Sequence, residues 1–228
     1  MWCNKVLFSH SFLIFLFLFN KDKRIPVLGI NTGRLGFLSS ISTEDVEQPL
    51  IDIIKGNYIT DRRSVIQLGS PSNLFGEVNY ALNEVTVHKK DSSSMIIIHT
   101  YVDGDYLNSY WADGLIISTP TGSTGYNLSC SGPIIMPGSD VFIITPIAPH
   151  NLNVRPLIIP DNKKITLRLE GRDDGFLVAL DSRSQAITSD EILTIERADF
   201  YFNLVRQPGH SFFSTIRNKL SWGLDSRN

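Results

Sequence analysis

Two cysteines in 228 residues, Cys3 and Cys130, leave room for one disulfide and for no disulfide framework. There is no CxxC and no Cys/His cluster with zinc-ligand spacing, so no structural metal site is expected and a reducing, cytoplasmic setting is. Charge of one sign is also scarce. A formal net charge of −2 gives no general attraction to nucleic acid or to an anionic membrane, so any anion site must be built locally. The phosphate loop GxxxxGK[ST] is absent, no Ser/His/Asp order stands out, and no internal repeat or low-complexity linker is present. Long apolar runs are missing too. The longest, FLIFLFLF at 12–19, falls short of the roughly 18 residues a membrane helix needs. It ends in Asn20-Lys21-Asp22-Lys23-Arg24 with no small-residue cleavage site, so a buried segment or a wrongly assigned start is preferred to a signal or anchor.

What remains is ordinary globular material. Hydrophobic residues make up 42% and charged residues 19%, which argues against disorder and for a sizeable core. The run 25–30 (IPVLGI) ends in glycine and polar residues, as a buried parallel strand does. Ser42 or Thr43 is expected to cap a helix running to about Lys55, with Glu44, Asp45 and Glu47 in its first turn and Gly56-Asn57 as its stop. From about Arg62 the texture changes. Short β-prone runs recur at 64–68, 76–82, 84–88, 95–102, 107–111, 115–118, 141–146, 157–159, 164–169, 176–180 and 191–197. Asp103-Gly104-Asp105 marks a hairpin turn, and so many strands with so few helices point to a β-sandwich-like domain. Residues 209–222 carry the pattern of a terminal amphipathic helix.

Several segments could carry chemistry. GINTGRLGFL at 29–38 sets three glycines just past a strand, where backbone can approach a ligand, although it is not the GxGxxG fingerprint. In Asn83-Glu84 the carboxylate can accept from both hydroxyls of a ribose and the amide can pair with a base edge. In DGLIISTPTGSTGYN at 113–127 a carboxylate precedes a buried strand that opens into a loop of hydroxyls and glycines, closed by Tyr126. Such a loop can offer N–H groups and hydroxyls to phosphate or ribose, and the ring a stacking face; it can equally be a plain Ser/Thr turn. His150 and Arg155 lie near a strand start with no assigned role, and Asp173-Asp174 reads as a solvated hairpin before it reads as a cation site.

GINTGRLGFL, ALNEV at 81–85, ADGLIISTPTGSTGYNLS at 112–129, PIAPHNLNVRP at 146–156 and LDSRS at 180–184, in that order, closely resemble the signature segments of the NAD kinase family. The resemblance implies an α+β chain: an α/β Rossmann-like part at 25–61, a β-sandwich-like, NAD-binding part at 62–200, and a C-terminal segment, 201–228, packing back on the first. It implies a homo-oligomer that transfers the γ-phosphoryl of ATP, with magnesium as the divalent metal, to the 2′-hydroxyl of the adenosine ribose of NAD. By position, Asn83 and Glu84 match the pair that holds the adenosine part of NAD, Asp113 matches a further NAD contact, and Phe37 matches an aromatic near the adenine. Thr124, Gly125, Tyr126, Asn127, Leu128 and Ser129 match a TAYSLS-type segment lining the pocket, with Gly125 in place of the usual Ala and Asn127 of the usual Ser. Asn83, Glu84, Asp113, Thr124 and Tyr126 are thus expected on one concave site. Trp111 stands where some bacterial members carry Arg.

One departure is large. The family carries a GGDGT loop upstream of its GIN segment, whose Asp activates the 2′-hydroxyl, and these 228 residues contain none. By count it would fall near His10, so residues 1–24 are expected to lie outside the family pattern, in a shortened or misassigned chain. No catalytic residue is then assigned, and impaired transfer is expected. A non-catalytic NAD-binding fragment is the alternative, and a lipid kinase of the same superfamily a more distant one.

Overall fold

A computed structural model describes residues 7–8, 25–31, 37–39, 41–90, 95–171, 175–209 and 211–222. Most of the apolar N-terminus, the glycine turn at 32–36 and the Asp173-Asp174 pair lie outside the described residues. The chain divides into two compact units, one of Met1–Arg62 with Phe202–Asn228 and one of Arg63–Tyr201.

In the first unit a small parallel sheet runs in the order β1 (Leu7–Phe8), β2 (Gly29–Asn31), β3 (Ile41–Ser42). Gly29 is required there, because a Cβ would meet the Leu38 carbonyl oxygen at 2.5 Å. Helix α1 (Glu47–Ile54) packs Val46, Leu50 and Ile53 on Leu28, Ile30 and Ile41. It begins later than the sequence suggested. Ser42 belongs to β3 and its Oγ accepts from the Asp45 amide at 3.2 Å, so the helix starts after Val46, with no side-chain cap. Pro49 fits that start, since the first turn is where a missing N–H costs nothing. The helix stops where expected: Gly56 takes φ 80°, its amide bonds the Ile53 carbonyl, and the Asn57 amide bonds that of Asp52. The C-terminal part belongs to this unit, with Val27 bridging to Leu204 and helix α3 (Phe212–Leu220) capped by Ser211.

The second unit is a sandwich of two six-stranded sheets. One has the order β11 (Leu157–Pro160), β10 (Val141–Ile147), β9 (Gly114–Ser118), β6 (Glu84–Lys89), β13 (Phe176–Leu180), β14 (Arg183–Ile187). The other has the order β5 (Tyr80–Ala81), β4 (Ile59–Ser70), β15 (Leu193–Arg206), β12 (Ile165–Gly171), β7 (Ile96–Val102), β8 (Asp105–Ala112). Val87, Ile117, Phe142 and Val178 of the first meet Ile98, Leu167 and Ile195 of the second in one core. The β7–β8 turn has φ 51° at Asp103 and 88° at Gly104, as a tight hairpin between right-twisted strands demands. Two elements differ from the sequence expectation. The 76–82 run is mostly turn, with only Tyr80–Ala81 paired, and β14 has no counterpart among the expected strands. RSQAI is an exposed edge strand whose residues do not alternate, so nothing in its pattern announces it.

Candidate functional site

β9 carries only small and apolar residues because all five of its positions are buried. It lies between β10 and β6, and the register sets Ser118 opposite Glu84 and Gly114 opposite His88. The turn leaving β9 therefore folds over the start of β6. Thr119 N donates to Asn83 O at 2.8 Å, Thr119 Oγ1 to Leu82 O at 2.7 Å and Ser118 Oγ to Asn83 O at 3.3 Å. The contact is close enough that a Cβ on Gly122 would sit 2.3 Å from Asn83 O. A 3₁₀ turn (Gly122–Thr124) and the short helix α2 (Tyr126–Ser129) follow.

This corrects the view of the TPTGS loop as a set of hydroxyls offered to a ligand. Ser118, Thr119 and Ser123 are fully buried and bonded to backbone, Ser123 Oγ to Pro120 O at 2.6 Å. Asn127 is likewise turned inward. Its Nδ2 donates to Ser123 O and Pro133 O, its Oδ1 accepts from Thr145 Oγ1 at 2.6 Å, and Gly132 leaves the space it fills. An amide with both donor hydrogens and its oxygen engaged in protein bonds holds the loop and does not face a ligand. Gly125, Tyr126 and Ser129 are exposed, and Thr124 and Leu128 are half-buried.

Glu84 is the electrostatic centre of the cluster. Its Oε2 is shielded from solvent and has no hydrogen-bond partner. Gly125 lies over it: a Cβ there would come to 3.6 Å from that oxygen. Burial, and then the charge of Asp181, push the Glu84 carboxyl up to about 8. Burial also raises the Tyr126 phenol, with further contributions from Cys130, Asp113 and Glu84.

Asp113 reaches the cluster at Tyr126, whose phenol it raises ahead of Glu84. It precedes β9 at the end opposite Ser118, about 17 Å along an extended strand. There Lys89 pairs with it at 2.6 Å. Phe37 belongs to the first unit, where its ring packs 6.4 Å from Phe212 and under the Lys219 ammonium at 5.0 Å. Half of Trp111 is exposed, and its carbonyl accepts from the His150 amide. Arg155 donates to the Leu152 and Val154 carbonyls.

Asp181 was not among the sequence-derived site residues, although LDSRS had been singled out. Its carboxylate accepts from the amides of Leu82 at 2.9 Å, Asn83 at 2.8 Å and Glu84 at 3.2 Å. Arg183 donates to the Val78 and Tyr80 carbonyls, and Arg63 reaches Thr121 Oγ1 at 3.5 Å.

As a whole the cluster offers a desolvated carboxylate beside an amide-bearing residue, under a glycine and next to an exposed ring. It can accept hydroxyl groups and cover a flat ring system. Among the described residues no group of three or more His, Cys, Asp or Glu is placed to hold a metal.

Comparison with known proteins identifies the family. Residues 82–207 match the ATP-NAD kinase C-terminal domain and residues 16–58 the ATP-NAD kinase N-terminal domain. The second match begins within the segment that sequence reading had set outside the family pattern. The NAD kinase of Cytophaga hutchinsonii is 52% identical over 207 residues, 91% of this chain and 71% of that protein. That of Bacteroides fragilis is 50% identical over 206 residues, covering 90% and 71%. The fold is shared with the yeast NADH kinase solved with NADH (TM-score 0.87, 22% identity, 96% of this chain and 67% of that one). It is shared too with the Archaeoglobus fulgidus NAD kinase solved with ATP (TM-score 0.80, 27% identity, 95% and 81%). With one family model spanning more than half its length and relatives at half identity over most of it, this chain belongs to the NAD kinase family, a family of phosphotransferases.

Proposed function

We propose that this chain binds NAD at the Asn83–Glu84 cluster and presents the 2′-hydroxyl of its adenosine ribose for phosphorylation by ATP, giving NADP. The observation that carries the proposal is the shielded, unpartnered Oε2 of Glu84 beneath Gly125. A buried carboxyl oxygen without a hydrogen-bond partner is costly, and the hydroxyls of a ribose can partner it. Asn83 stands next to it for the base edge, and Thr124, Gly125, Tyr126, Leu128 and Ser129 of the following turn are left at least partly exposed to meet the ligand. Asp113, which acts on the same Tyr126 phenol, is a further member of the proposed set. Magnesium enters as the ATP complex, its charge met by phosphate oxygens. Assembly as a homo-oligomer and a cytoplasmic location, where both nucleotides are found, belong to the same proposal. No helix among the described residues is long and apolar enough to cross a membrane.

The proposal extends to impaired phosphoryl transfer by these 228 residues taken alone. With no GGDGT, no carboxylate is assigned to take the 2′-hydroxyl proton and no glycine cradle to the triphosphate. Loss of a general base typically costs about 10²–10⁴-fold. Calorimetry with NAD and a coupled assay for NADP test both halves. The purified chain is expected to bind NAD, Glu84→Gln to weaken binding at least about tenfold, and turnover to rise about 10²-fold or more when a GGDGT-containing segment is joined upstream. Equal binding by the wild type and Glu84→Gln would overturn the site. Equal turnover with and without the added segment would overturn the impairment. Binding without turnover is the outcome of a non-catalytic NAD-binding fragment.

A further inference from the structure

LDSRS contributes no atom to the proposed dinucleotide site, yet its turn is heavily bonded to the segment that carries Asn83 and Glu84. Between β13 and β14, Asp181 takes φ 52°, a left-handed conformation that Asp tolerates better than most residues. Its own amide donates to Glu84 O at 3.1 Å, while its carboxylate receives the amides of Leu82, Asn83 and Glu84. Three consecutive N–H groups converging on one anion form a backbone nest. The occupant of this nest is a side chain from nearly a hundred residues away. Two residues on, Arg183 fastens the approach to the same segment through the Val78 and Tyr80 carbonyls.

We propose that Asp181 is a positioning residue for the dinucleotide site: by filling the nest at Leu82–Glu84 it fixes the backbone from which Asn83 and Glu84 meet the ligand. The proposal rests on the NAD-binding reading above. Its geometry separates it from simple fold support, because a single carboxylate engages both site residues and the residue before them. The electrostatics agree. Burial raises Asp181 itself, while the three amides and Arg183 pull it back toward the ionised form. Its negative charge is the second cause, after burial, of the raised Glu84 carboxyl. The charged group acting on Glu84 is Asp181 from the β13–β14 turn, while Glu84 and Asp113 each raise the Tyr126 phenol of α2. Asp181 accordingly sets both where Glu84 sits and how readily it ionises.

Two variants separate position from charge. Asp181→Asn keeps the shape and removes the charge, and it sets an NH₂ group against one of the three amides. Asp181→Glu keeps the charge and displaces it by a methylene. The readouts are calorimetry with NAD and the carboxyl ¹³C titration of Glu84, its signal identified by its loss in Glu84→Gln. In Asp181→Asn the Glu84 midpoint is expected to fall by about one pH unit or more, and the affinity for NAD at least about tenfold. In Asp181→Glu the midpoint is expected to stay near that of the wild type while the affinity falls. A residue that merely supports the fold would lower stability and leave the Glu84 midpoint of the folded fraction in place. If the wild type binds NAD and Asp181→Asn leaves both midpoint and affinity unchanged, the inference is overturned. If the wild type does not bind NAD but the midpoint falls in Asp181→Asn, the site assignment fails and the control of Glu84 by Asp181 stands. Should Asp181→Asn not fold, Asp181→Glu carries the test, and wild-type affinity in that variant overturns the inference.

Discussion

The carboxyl of Glu84 should cost this protein stability, and replacing it with its neutral isostere should return that stability in a pH window the structure defines. Glu84 is held at about 8 against an ordinary 4.5, chiefly by burial and then by the charge of Asp181. The fold therefore favours the protonated form. The favourable contribution is complete below pH 4.5, where the unfolded chain is protonated too, and is lost as pH rises toward 8. At about 1.36 kcal/mol per pH unit, that gap amounts to at most about 5 kcal/mol by the time both states are ionised. Gln at position 84 carries no charge at any pH and avoids this loss. Glu84→Gln and wild type should thus unfold alike near pH 4.5 and diverge above it, the variant becoming the more stable. For a chain of this size the full difference corresponds to a midpoint on the order of 10 °C higher. Thermal unfolding followed by near-ultraviolet circular dichroism from pH 4.5 to 9 measures it. Parallel profiles for the two proteins would refute the reasoning, since they would mean that Glu84 is hydrated or paired in the folded state. A gain in stability joined to the loss of NAD binding expected above would mark Glu84 as a residue kept for function at the expense of the fold.

Other substitutions test the loop beneath the site. Gly122→Ala places a methyl carbon 2.3 Å from a backbone oxygen that cannot swing aside, so the β9 turn must lift from Asn83. Denaturant unfolding should register a loss on the order of 3 kcal/mol. Asn127→Asp keeps the shape but turns a carboxylate toward the Ser123 and Pro133 carbonyls in a fully buried setting, and a loss on the order of 3 kcal/mol is expected by the same measurement. An effect within a few tenths of a kcal/mol would show that this amide is solvated.

Much of this protein was legible one residue at a time. The strands declared themselves because short β-branched runs alternate with turn residues, and the Asp103-Gly104 hairpin and the Gly56 helix stop followed from backbone sterics alone. The family was legible as well, since its signature segments occur in order, and Asn83-Glu84 marked the carboxylate that the fold leaves without a donor. What sequence could not supply was the direction in which each side chain faces. Ser118, Thr119, Ser123 and Asn127 have the composition of a ligand loop, yet their polar atoms are consumed by Leu82, Asn83, Pro120, Pro133 and Thr145. Asp113 and Ser118 are near neighbours in sequence, but an extended strand carries them to opposite ends of a sheet. Asp181 lies 97 to 99 residues from the three amides it gathers, and only the pairing of β6 with β13 brings that turn beneath Glu84. Local pattern fixes backbone conformation because its causes act between near neighbours. Burial, unmet hydrogen bonds and the ionisation of Glu84 depend on which distant strand lies alongside, and that is decided by the tertiary structure.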